Sequence, residues 1–77
     1  MKKKYYLFTL STNLTNGNLY NSTVFSSGNE MPPFSEIVKR NNETITSQGY
    51  EAIENTTIIL YMAKLTKQEY EALNKTL

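Results

Sequence analysis

The sequence predicts an α+β domain of order β-β-α-β-α: a three-stranded antiparallel sheet in the spatial order 2-1-3, with two helices on one face. Three signals carry this prediction. Asn16-Gly17 separates two stretches that carry aromatic and β-branched residues, Pro32-Pro33 stands before an apolar stripe at helical spacing, and Thr66-Lys67-Gln68-Glu69 follows a strand-like run. At 77 residues and 8.9 kDa the chain reads as a single domain, residues 1–77, with one thin core.

The hairpin comes first. A two-residue type I′ turn needs positive φ at both central positions, which Asn-Gly tolerates best. With Asn16-Gly17 as the whole loop, Thr15 faces Asn18, and counting outward pairs Leu14 with Leu19, Leu10 with Thr23 and Phe8 with Phe25. That register sorts Tyr6, Phe8, Leu10, Leu14, Leu19 and Phe25 onto one face. Tyr5, Leu7, Thr9, Ser11, Tyr20, Ser22 and Val24 fall on the other, and a slip of one residue in one strand mixes the two sets. The first set is the better core candidate.

Pro32-Pro33 suits a first helical turn, where a missing N–H costs little and φ is already set. Phe34, Ile37, Val38 and Asn41 then share an inner stripe while Glu36, Lys39 and Arg40 point outward, and the helix is expected to end near Asn42. Over residues 43–55 the signals conflict. Thr44-Ile45-Thr46 has the makings of a brief strand and Tyr50-Glu51-Ala52-Ile53-Glu54 of a helical turn, with Gly49 between them, so the stretch reads as a connection.

Residues 56–65 are rich in β-branched and aromatic side chains and carry one charge, Lys64, the composition of a largely buried third strand. Thr66 and Glu69 then form a capping box that opens a second helix, with Leu65 placed to staple against Tyr70, and Tyr70, Leu73 and Leu77 forming the inner stripe. The helical crossover returns the chain in the direction of strand two, which sets strand three antiparallel beside strand one.

Charge and composition exclude several classes of function. Eight Lys+Arg against seven Asp+Glu give a formal charge of +1, which removes the simplest electrostatic case for a nucleic acid or an anionic membrane. The longest apolar run, residues 58–62, is strand-sized and far short of a bilayer span. The apolar stretch after Lys2-Lys3-Lys4 is too short for a secretory segment, so the expected location is the cytoplasm. The Asn-x-Ser/Thr matches at Asn13, Asn21, Asn42, Asn55 and Asn74 follow from a composition rich in Asn, Ser and Thr.

Catalysis has few candidates here. The chain has no His and no Cys, the residues that most often move protons or attack near neutral pH. Ser26, Ser27, Ser35, Lys39 and Lys64 show no spacing that marks a nucleophile with its base. Glu36 has a helix-start role and Glu69 a capping role, while Glu51 with Glu54 lacks further oxygen ligands for a cation. Gly17, Gly28 and Gly49 are isolated and make no phosphate loop. The expectation is a non-enzymatic protein with no cofactor and no metal.

Binding is the better-supported class. In strand three Ile58, Leu60 and Met62 alternate with Ile59, Tyr61 and Leu65, so both faces are apolar. Helices on one face leave the other uncovered, unless the 43–55 connection folds across it. The candidate interface is Tyr5, Leu7, Tyr20, Val24, Ile59 and Tyr61, for a homodimer or another protein chain. The alternative is a nucleic-acid module using Lys2-Lys3-Lys4-Tyr5-Tyr6, where cations adjoin rings on which bases stack.

The segments Lys4-Tyr5-Tyr6-Leu7-Phe8-Thr9, Asn16-Gly17-Asn18, Met31-Pro32-Pro33-Phe34-Ser35-Glu36-Ile37 and Leu65-Thr66-Lys67-Gln68-Glu69-Tyr70 together resemble short uncharacterised proteins of bacterial genomes, prophages and mobile elements. The resemblance implies the same element order and a bacterial or phage setting, and transfers no activity.

Overall fold

The computed structural model describes residues 3–76. It contains β1 (Lys4–Asn13), β2 (Leu19–Gly28), α1 (Phe34–Ser47), β3 (Ile58–Leu65) and α2 (Lys67–Thr76), in one antiparallel sheet ordered β2-β1-β3. The α+β class, the element order and the strand order are those expected from the sequence.

The hairpin register is not. Phe8 pairs with Val24 and Leu10 with Ser22, one residue away from the expected pairing. The turn explains the shift. Leu14 N–H donates to Asn18 O at 2.9 Å and Gly17 N–H to Leu14 O at 3.0 Å, so the loop is Thr15-Asn16-Gly17, and Gly17 sits at φ +89°. This is a tight turn closed by a glycine bulge, one residue longer than the two-residue loop. The Asn16 side-chain carbonyl also accepts from Asn18 N–H at 2.9 Å, which favours the longer form. Every β2 side chain therefore lies on the face opposite to the expected one. Val24 is in the core with Tyr6, Phe8, Leu10 and Ile37, whereas Phe25 faces the other way and Leu19 is exposed.

α1 covers the face carrying Tyr6, Phe8 and Leu10, placing Ile37, Asn41 and Ile45 inward at four-residue spacing. The prolines precede the helix, with Pro33 as its N-cap residue. The helix does not end at Asn42 but continues to Ser47, because fully buried Ile45 extends the inner stripe by one more turn. Its end is a glycine cap: Gly49, at φ +87°, donates to Thr46 O at 3.0 Å, and Tyr50 N–H reaches Ile45 O at 3.1 Å. Phe34 belongs to the expected inner stripe yet is 51 % exposed.

The second helix corrects the expectation of two helices on one face. Its capping box forms as expected, with Thr66 N–H donating to Glu69 Oε1 at 2.9 Å and Glu69 N–H to Thr66 Oγ1 at 3.1 Å. Tyr70 then lies over Tyr5, with ring centroids 4.9 Å apart, and edge-on to Phe25 at 5.7 Å. Those two rings belong to the face away from α1, because Tyr5 alternates with buried Tyr6 and Phe25 with buried Val24. Once β2 is shifted by one, Tyr5 and Phe25 share a face and make an aromatic seat for Tyr70. Leu77, expected to extend this stripe, lies outside the described residues.

The lead-in to β3 does not roof the sheet. It runs along the end of β1: Thr15 N–H donates to Glu51 O at 2.9 Å and Ile53 N–H to Asn13 O at 2.8 Å, and Leu14 forms an isolated bridge with Ala52. Tyr50 leans on Tyr20, with centroids 6.0 Å apart.

Candidate functional site

Among the described residues β3 pairs with β1 on one side only, so its other edge presents unpaired backbone groups. Ile58, Ile59, Leu60, Tyr61 and Met62 expose 56, 37, 57, 60 and 43 % of their surface. No residue of the strand is buried, contrary to the expectation of a largely buried strand. The cause is positional. α1 sits over the β1–β2 half of one face, and α2 seats Tyr70 at the Tyr5 end of the other.

The pairing with β1 shows how the side chains are distributed. Tyr61 lies opposite Thr9 and Met62 opposite Phe8, whereas Ile59 lies opposite Leu10 and Ile58 opposite Ser11. Leu60 is thus the extra residue of a β-bulge. Met62 and Ile59 fall on the α1 face and Tyr61 and Ile58 on the α2 face, so apolar groups line both sides of one bare edge. Residues 55–63 carry no charge. Natural edges are blunted by lysine, proline or a bulge, and of these devices only the bulge falls within that run.

The six expected interface residues do not form one surface. Tyr5, Leu7 and Tyr61 lie on the α2 face, and of these Tyr5 is half-buried beneath Tyr70. Tyr20, Val24 and Ile59 lie on the α1 face; Val24 is buried in the core and Tyr20 leans on Tyr50. The register shift is again the reason, since it moved both β2 residues to the covered side. Ile59 and Tyr61 stay exposed on β3, but the bulge at Leu60 sets them on opposite faces. Ile58, Leu60 and Met62 are as exposed as these two and stand outside the six, though the signal was present: the strand order 2-1-3 makes the third strand an edge, and its run is uncharged.

A second feature, this one polar, lies under α1. Asn41 is fully buried; its amide donates to Thr12 Oγ1 at 2.8 Å and its carbonyl accepts from the Ser22 hydroxyl. Thr12 also meets Thr57 Oγ1 at 2.8 Å. This chain of side chains joins β2, α1, β1 and the residue before β3. Among the described residues no buried side-chain polar atom lacks a partner, so the network is closed and offers no free group to a ligand.

Among the described residues no cluster of three or more Glu, Asp, His or Cys could hold a metal ion. A depression bordered by Ser35, Val38, Lys39, Asn42, Glu43, Thr46 and Ser47 is an open trough along α1. The Lys/Tyr terminus does not present two free rings, because Tyr6 is buried and Tyr5 is covered by Tyr70; Lys2 lies outside the described residues. No described helix is long and apolar enough to cross a membrane. Compared with protein-family models, with curated proteins and with solved structures, the chain finds no match in any of the three.

Proposed function

We propose that this chain is a small protein-interaction domain that acts by binding rather than by catalysis, with β3 as its recognition element. The observation that carries the reading is the run of five consecutive exposed apolar side chains on an unpaired edge strand. Burying such a run removes apolar surface from water, at roughly 25 cal/mol per Å². Docking another strand also pairs the free N–H and C=O groups of the edge, so apolar burial and backbone pairing come together. A bacterial or phage setting, which rests on the sequence resemblance, and a cytoplasmic location complete the proposal. The nucleic-acid alternative draws no support from Tyr5 and Tyr6, whose rings are engaged within the fold.

The test compares wild type with Tyr61→Glu, a substitution at an exposed position, by sedimentation of the purified chain and by affinity capture from the native host. Wild type is expected to engage another chain, its own copy or a different protein, and the variant to lose that engagement. A strictly monomeric wild type that retains nothing beyond what the variant retains would overturn the reading.

A further inference from the structure

We infer that the partner of β3 is β3 of a second copy, the two strands pairing antiparallel so that two three-stranded sheets become one six-stranded sheet. This rests on the interaction reading above and names the occupant of the same edge.

The surface area of the chain is the first argument. Its accessible surface is 5535 Å², whereas a compact monomer of 8.9 kDa is expected to show about 4,800 Å². The excess, on the order of 700 Å², is close to the roughly 800 Å² that each partner buries in a standard-sized interface. The shape agrees. The radius of gyration is 13.1 Å, against about 11.5 Å for a compact chain of this length.

The chemistry of the strand is the second argument. Residues 55–63 offer no charge by which a foreign acidic or basic segment would be selected. An uncharged apolar strand with a bare edge is complementary to itself, and a two-fold axis lets the same patch serve both copies. Lys64 sets the direction. Parallel pairing in register would place Lys64 beside Lys64, a destabilising arrangement. Antiparallel pairing centred on the apolar run separates the two lysines and sends each toward the end of the strand whose lead-in carries Glu54. The net charge of +1 leaves little long-range repulsion between copies.

The absence of cysteine makes the test clean. Single cysteines are placed in turn at each of residues 58–63 of the full chain, and mild oxidation is followed alongside sedimentation over a wide concentration range. The inference predicts a reversible dimer and one position near the middle of the run that crosslinks to itself. That position should react at least roughly tenfold faster than positions two residues away, because a disulfide requires Cβ atoms about 3.8 Å apart. Cysteines placed symmetrically about it should crosslink to each other in mixtures of two variants. A dimer without crosslinks in β3 overturns the inference, and so does a strict monomer. A monomer that still captures another protein through Tyr61 sinks self-pairing and leaves the interaction reading standing, whereas a monomer that captures nothing sinks both.

Discussion

The buried amide of Asn41 donates to Thr12 Oγ1 at 2.8 Å, tying α1 to the central strand through a fully buried polar contact. The Ser22 hydroxyl completes the amide's pairing, so a residue that would be costly in an apolar core is satisfied on both of its polar atoms. It also fixes alignment, because sliding α1 along the sheet by one turn would strand both partners.

Removing that amide should therefore cost more than removing a peripheral hydroxyl. Asn41→Ala leaves Thr12 and Ser22 short of a buried partner and opens a small cavity, and a loss of about 2–4 kcal/mol is expected. Thr57→Val removes only the half-buried bond to Thr12, and about 1 kcal/mol or less is expected. Urea unfolding of the two variants against wild type checks the order.

The end of α1 gives a second pair. Ile45→Ala should cost about 2–5 kcal/mol, because the side chain is fully buried. Gly49→Ala should cost about 1 kcal/mol through φ alone, since a Cβ there meets nothing within 4 Å. An effect of Ile45→Ala below about 0.5 kcal/mol in thermal unfolding would contradict a helix that continues to Ser47.

The seat of α2 gives a third. Tyr5 and Tyr70 stand 4.9 Å apart, and a double-mutant cycle to Leu at both positions should return a coupling of about 0.5–1.5 kcal/mol. No coupling would mean that α2 does not rest on this face.

Local punctuation made much of this architecture readable in advance. The capping box at Thr66 and Glu69 is a complete chemical instruction within four residues, and it forms as read. The strand order follows from crossover geometry, which one Pro-Pro-led helix between strands was enough to invoke. The hairpin register was less accessible, because Asn-Gly serves both a two-residue turn and the longer turn in which Gly17 alone takes positive φ. That one residue decided the face of every side chain in β2, and with it the side on which α2 docks. The end of α1 was hidden by Thr44 and Thr46, whose β-branched shape argues for a strand while Ile45 between them anchors a helix. Of the candidate interface, the apolar character of the third strand was legible on both faces. Its lack of any cover was not, because that depends on where the two helices settle.

That β3 is held by β3 of a second copy is tested most directly by amide hydrogen exchange. Peptides covering Ile58–Leu65 are followed in the purified protein at low and at high concentration. Protection of this strand should rise with concentration while β1 exchanges at the same rate throughout. Exchange in β3 that is unchanged over that range, with the protein remaining a single chain, would contradict the account.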